Sequence, residues 1–314
     1  MPLVWLTNHA GYLPGPVNLG LIRFGDQVVV VDAGLDDGSA RRLIRELTPA
    51  GLKPAALFLT HHHADHTGGA PRLAREGISA VAASSVEASL IRHPYWEPHG
   101  LCGGAHPPDI MRKKFLMPAG IEVTQYVSPG TWRPAMEAES LGAELPALEV
   151  IALPGHSPGQ VGLLVDGVLF AGDALLPEKT WRKYRLTYFS DMGVALDTCD
   201  RLVEMVERIR TVLPAHGSPA RNREQLLELV EVNRQGIQGL ARTVSSALSE
   251  EPAGLTLEQV LERVSASLAI TPIDIPEYFL GRATVQAVLT YLSEKGQSAP
   301  CLEAAQLRWR AETP

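Results

Sequence analysis

The chain has 314 residues, 45% hydrophobic and 20% charged. That is ample for a sizeable core and excludes a disordered, collagen-like or coiled-coil chain. Its 28 basic residues against 35 acidic ones leave a net charge of −7, which argues against nucleic acid as a partner.

The start, MPLVWLTN, has neither a basic leader nor an apolar core, so no signal peptide is expected. No apolar run approaches the ~20 residues of a membrane helix, so no membrane partner is expected either. Cys102, Cys199 and Cys301 form no CxxC pair, which fits free thiols in a reducing compartment. The expected location is the cytoplasm.

In chain order, Gln27–Val31 is a continuous β-branched run that stops at Asp32-Ala33-Gly34. A helix is predicted from Ser39, read as its N-cap, to Leu47. Ala55–Leu59 is the next strand and ends at Thr60 and a cluster of histidines. Ala70–Glu76 reads as helix with Gly77 as its stop. Leu148–Leu153 ends in Pro154-Gly155-His156. Val161–Val165 and Val168–Phe170 read as a hairpin with a type I′ turn at Asp166-Gly167, leading into Gly172-Asp173. A helix over Ala195–Arg210 precedes a short strand, Thr211–Leu213, that ends in Pro214-Ala215-His216.

Five apolar runs thus terminate in Asp or His, where a rigid sheet presents chemistry on its loops. Singly, an Asp after a strand is a common turn residue. Five together, carrying six of ten histidines, point to a site.

From about residue 221 the texture changes. Arg223–Leu248 is one long helical pattern, and Thr256-x-x-Gln259 looks like a capping box opening a helix to about Leu268. Pro272 and Pro276 break the chain before a helix over Gly281–Lys295, and Ala299–Arg310 reads as a small hairpin. The expected division is a catalytic domain over 1–220 and a helical domain or tail over 221–314.

The densest chemistry is His61-His62-His63-Ala64-Asp65-His66. In an extended segment residues two apart point the same way, so His61 and His63 can converge on one ion. Asp65 and His66 can reach a second ion. The remaining ligands must come from elsewhere, and His156, Asp173 and His216 are the strand-end residues of the right type. The set offers three imidazoles to one ion, and an aspartate with two imidazoles to the other. Asp173 can bridge through its two oxygens. Such a pair of ions suits hydrolysis.

HxHxDH at 61–66, PGHSPG at 154–159, GDAL at 172–175 and PAHG at 214–217 resemble the motifs of the metallo-β-lactamase fold superfamily. VVVVDAG at 28–34 is similar to its first motif. The resemblance covers roughly residues 3–220 and implies an α/β fold, a four-layer αββα sandwich with metals at one edge. It implies His61, His63 and His156 on one metal, and Asp65, His66 and His216 on the other, with Asp173 between them. Asp32 matches an aspartate that orients a ligand rather than binding metal. The expected cofactors are two Zn²⁺ ions, although imidazole and carboxylate alone do not choose among Zn, Fe and Mn.

The implied chemistry is attack of an activated hydroxide on a small ester, thioester, lactone or phosphodiester. Asp65 is also placed to take a proton from the attacking water. His62 reads as structural, and His9, His93, His99 and His106 match no motif. Asp173 is shared with the glyoxalase II-like branch, whose basic glutathione-binding residues find no match in the tail. Two alternatives stay open. One is a mononuclear-iron persulfide dioxygenase, which resemblance would place on His61, His156 and Asp173. The other is a lactamase-like endoribonuclease.

Two segments are expected to shape a pocket. Leu90–Gly142 is an irregular insertion. Lys179–Ser190 carries four positive charges, four aromatics and no acid, so Arg182, Lys183, Tyr184 or Arg185 could steady an anionic small-molecule substrate. The alternative is a solvated loop with its aromatics tucked into the core. The tail broadly resembles a winged-helix module. Residues 251–314 hold five basic residues against eight acids, which favours a tail that covers the sandwich or forms a homo-oligomer interface over one that binds RNA.

Overall fold

Val28 and Val30 of the first β-branched run point into one apolar core and Val29 and Val31 into another. A strand buried on both faces reads as a continuous hydrophobic run, and it marks the centre of a layered α/β fold. The computed structural model describes residues 2–136, 147–272 and 274–312.

The first sheet has seven strands in chain order: β1 (Val4–Trp5), β2 (Ala10–Leu13), β3 (Leu19–Phe24), β4 (Gln27–Val31), β5 (Lys53–Phe58), β6 (Ala80–Ser84) and β7 (Gln125–Val127). It is antiparallel up to β4 and parallel beyond. On its outer face lie α1 (Asp37–Leu47), then α2 (Ala64–Thr67) and α3 (Ala70–Arg75), then α4 (Ser85–Arg92). Leu43, Leu73 and Ile91 carry these helices onto Val28, Val30 and Leu57. A short α5 (Trp96–Leu101) follows.

The second sheet contains β8 (Gly130–Trp132), β9 (Leu148–Ala152), β10 (Val161–Val165), β11 (Val168–Gly172) and β12 (Thr211–Pro214), in spatial order β12-β11-β10-β9-β8. Phe58, Trp132, Leu163 and Phe170 fill the space between the sheets. On the outer face of the second sheet are α6 (Glu178–Tyr184), α7 (Met192–Glu204) and α8 (Arg223–Ser249), where Leu202, Leu226 and Val230 cover Ile151 and Leu169. The four layers are those expected. Each fully buried Leu or Val contributes about 1.5–3 kcal/mol by leaving water.

The remaining chain forms α9 (Leu257–Ser267), α10 (Ile275–Glu294) and a hairpin of β13 (Ser298–Glu303) with β14 (Gln306–Ala311). The capping box at Thr256 and Gln259 is present in full. This region shares a core with the sandwich: Val260, Val285 and Leu289 pack in one cluster with Trp181, Phe189 and Met192. Buried Asn233 of α8 accepts from the Leu176 amide at 2.9 Å and the Trp181 indole at 3.0 Å, and donates to the Leu176 carbonyl at 2.9 Å. The segment after β11 is thereby fixed to α8.

Several boundaries differ from expectation, mostly through capping. The first helix is capped by Asp36, which accepts from Gly38 and Ser39, rather than by Ser39. Asp191 starts α7 early, and that helix ends at Glu204 instead of Arg210. Pro276 does not break the chain. It lies in the first turn of α10 behind the Asp274 cap, where a missing N–H costs nothing. The insertion carries α5, β7 and β8, and its expected stretch 137–142 lies outside the described residues. Among the described residues no helix is long and apolar enough to cross a membrane.

Candidate metal centre

The motif at 61–66 follows the C-terminal end of β5 and turns into α2. Two glycines make that turn feasible. A Cβ at Gly68 would run into the Leu35 carbonyl, and one at Gly69 into the Ala33 carbonyl. The loop after β4 therefore packs directly on the loop after β5. This brings Asp32 beside His66, with Asp32 in a left-handed conformation (φ 63°) that aspartate tolerates better than most residues. Its buried carboxylate accepts from the Thr60 amide at 2.9 Å and the Thr60 hydroxyl at 3.0 Å, and lies 2.8 Å from His66 Nδ1.

Hydrogen bonds orient the rings. His66 donates Nδ1–H to Asp32, which leaves Nε2 bare, buried and without a partner. His156 donates Nδ1–H to the Tyr188 carbonyl at 3.1 Å, and His216 to the Pro16 carbonyl at 2.8 Å. His61 Nδ1 lies 3.1 Å from the Thr60 hydroxyl. In each ring Nε2 then turns its lone pair to the centre. His63 is the exception: its Nδ1 faces inward, 3.0 Å from His61 Nε2 and 2.9 Å from His156 Nε2.

Among the described residues four sets of atoms are compact enough to hold an ion. Two of them (His61, His66 and Asp173; His62, His63 and Glu97) share residues with the other two, which are separate groups. His61, His63 and His156 form one of these separate groups, and Asp65, His66 and His216 the other. Asp173 lies between them: Oδ2 is 3.6 Å from His156 Nε2 and 3.5 Å from both His66 Nε2 and His216 Nε2. Its Oδ1 is buried without a partner. Converging bare nitrogens and an orphaned carboxylate oxygen fit divalent cations, because a cation satisfies lone pairs that have no donor to face.

The two groups differ in charge. Burial and the neighbouring His66 hold His61 well below the usual imidazole range. Burial and His62 lower His63 to about 3, and burial lowers His156 despite Asp173. Burial opposes the charge on His66 too, but Asp32, Asp173 and Asp65 raise it well above its ordinary value. His216 is lifted to about 10 against burial, chiefly by Asp173. Asp65 falls to about 2 and Asp173 also falls, each against burial and beside His66 and His216.

A buried bracket behind the site gave no signal in the sequence. His62 sits between Glu87 Oε2 at 2.6 Å and Glu97 Oε2 at 2.9 Å; against the penalty of burial, these two carboxylates lift it to about 9. Glu87 also accepts from the His62 amide at 2.9 Å, the Gly159 amide at 2.7 Å and the Ser157 hydroxyl. It ties the loop carrying His61 and His63 to the loop carrying His156. Glu87 occupies the third position of α4 after its Ser84 cap, so in the sequence it reads as an ordinary helix start.

The segment expected to steady a substrate is partly helical. Residues 178–184 form α6. Arg182 pairs with Glu178, Lys183 with the Tyr184 hydroxyl at 2.8 Å, and Arg185 with the Leu268 carbonyl at 2.7 Å. None of Arg182, Lys183, Tyr184 and Arg185 lines the cleft over the metal centre; Tyr188 does. Helix formation turns the charges to solvent, while burial of Trp181 and Phe189 anchors the segment. His9 pairs with Asp166 and His106 with Tyr95, and among the described residues His9, His93, His99 and His106 join no metal-ligating group.

An αββα sandwich with a His/Asp cluster at the ends of its strands defines a metal-site fold. The family profile described as Metallo-beta-lactamase superfamily matches residues 12–216, and the chain belongs to that superfamily. A hydroxyacylglutathione hydrolase of Alkalilimnicola ehrlichii is 32% identical over 145 residues, 46% of this chain and 41% of that protein. The match thus spans about two fifths of that relative. A hydroxyacylglutathione hydrolase of Methylobacillus flagellatus is 25% identical over 255 residues, 77% of this chain and 85% of that protein. In fold, the chain is similar to a beta-lactamase domain protein from Burkholderia ambifaria (TM-score 0.73, 20% identity, 99% of this chain and 96% of that one). It is also similar to a metallo-beta-lactamase family protein from Thermus thermophilus (TM-score 0.66, 21% identity, 99% and 97%).

Proposed function

We propose that the protein is a hydrolase of small esters or thioesters that works with two divalent cations, zinc by preference. The observation that carries this reading is the position of Asp173, at nearly equal distance from the nitrogens of both groups. His61, His63 and His156 would hold one ion, Asp65, His66 and His216 the other, and Asp173 both. When bound, such a pair supplies an acidified water and a Lewis acid at neutral pH.

The chain's own residues then set orientation and proton traffic. Asp32, Thr60 and the carbonyls of Pro16 and Tyr188 keep the imidazoles in one tautomer each, so no reorientation accompanies reaction. Asp65 stays a carboxylate throughout the neutral range, so its oxygens can accept a proton from the attacking water. Ser157 donates to Glu87, a structural bond, and is not a nucleophile. The hydroxyacylglutathione hydrolase relatives support thioester chemistry.

The test is to measure the metal content of the protein as purified, then strip it with a chelator, reload it with zinc, and assay p-nitrophenyl acetate and a simple thioester. Two zinc ions per chain with restored turnover are expected. One iron per chain and oxygen consumption with a persulfide would overturn the reading.

A further inference from the structure

The walls of the cleft above the candidate metal centre come from three separate parts of the chain. The floor of the cleft includes His63, Asp65, His156 and Asp173, and its walls are Pro94, Phe115, Leu116, Pro118, Tyr188 and Leu280. Leu280 lies on α10, so the C-terminal region supplies one side of the cleft. Behind this wall Leu280 packs with Phe279, Leu101, Met111 and Leu116 in a small apolar cluster, which keeps the walls in place. Phe115 is 55% exposed at the mouth.

Charge is distributed just as unevenly. Among the described residues lining the cleft there is no lysine or arginine; Glu97 bonds His62 through Oε2, and His62 is held between Glu97 and Glu87. A hydroxyacylglutathione carries two carboxylates, and nothing on these walls would pair with them. An apolar group, by contrast, would meet a ring, two leucines and three prolines or aromatics, with its reacting carbonyl directed to the floor. The cleft volume is about 160 Å³. A cavity of about 150 Å³ lined by apolar side chains takes up benzene, so the room suits about six carbons.

We infer that the substrate is an uncharged ester or thioester with an apolar group of about six carbons beside the reacting carbonyl, bound between the 94–118 insertion and α10. This rests on the hydrolase reading above and narrows it. Recognition is then by displacement of water from the walls, and the anion-binding residues expected of a glutathione conjugate are not required.

The experiment measures kcat/KM of the metal-loaded protein on two series of neutral esters. One varies the acyl group from acetyl to decanoyl, and the other varies the alcohol. A hemisuccinate and a hydroxyacylglutathione are the anionic members. In at least one series kcat/KM is expected to rise about threefold to fourfold per methylene up to roughly hexanoyl or hexyl length and then level. Both anionic members are expected to fall at least tenfold below their neutral counterparts.

Leu280→Ala and Phe115→Ala should each lower the hexyl-to-methyl preference about fivefold. A combined R182Q, K183Q and R185Q variant should leave that preference where it was. Flat dependence in both series, or fastest turnover on an anionic member, overturns the inference while leaving the hydrolase reading intact. No turnover of any member overturns both. A preference untouched in both wall variants removes α10 and Phe115 from the pocket and overturns the placement.

Discussion

The two halves of the candidate metal centre offer similar side chains in opposite electrostatic settings. Around His61, His63 and His156 burial dominates, and the imidazoles stay neutral. Around His66 and His216 the carboxylates of Asp32, Asp65 and Asp173 outweigh burial and raise both imidazoles. The same side chain is thus a ready ligand in one half and an internal counter-ion in the other. Carboxylate partners make the second half self-neutralising without metal, whereas the first half has bare nitrogens at 2.9–3.0 Å that only a shared proton or an ion can reconcile.

The severest way to break the comparison is Asp173→Asn. The amide keeps the shape but not the charge shared between the halves, so the mixed half should lose its ion and turnover should fall more than a hundredfold. Metal analysis and steady-state rates check this. Two tightly held ions in the variant would show that Asp173 does not join the halves.

How much of this was readable beforehand follows from where each signal resides. The seven residues proposed as metal ligands stood out as candidates because each is a His or Asp in the short stretch that follows β5, β9, β11 or β12. The central strands β4 and β5 were legible as continuous apolar runs. The short strands β1 to β3 were not, since Ala10–Leu13 and Leu19–Phe24 mix glycines with apolar residues and alternate poorly.

Glu87, Glu97 and Leu280 were hidden for a different reason. Each acts through a tertiary neighbour on a distant element, and locally each looks like an ordinary helix residue. Composition also does not show which face of the short helix at 178–184 meets the cleft.

A second substitution tests the support common to the two loops. Glu87→Gln removes the charge that pairs with His62 and weakens the join between the 61–66 and 156–159 loops. A buried pair broken on one side costs about 3 kcal/mol. A fall in the thermal midpoint by several degrees is expected, with weaker metal binding in the three-imidazole half. An unchanged midpoint would mean that the bracket does not hold the loops.

A smaller and more selective effect is expected from Asp32→Asn. Asp32 bonds His66 directly and reaches the three-imidazole half only through Thr60, which meets His61 Nδ1, so chelator competition should show one ion weakened about 10–100-fold and the other much less. Equal weakening of both ions would erase the distinction between the halves.

The most direct measurement is calorimetric titration of the stripped protein with zinc at pH 7, in buffers of different ionisation heat. The imidazoles of the first half are already neutral, so the first ion should bind with almost no proton release. The carboxylates around His66 and His216 raise both imidazoles, so the second ion should release more protons than the first. Its affinity should therefore weaken as the pH is lowered, whereas that of the first ion should hold. Two binding events with protons released at the second are the predicted result. A single event, or equal proton release at both, would contradict the account.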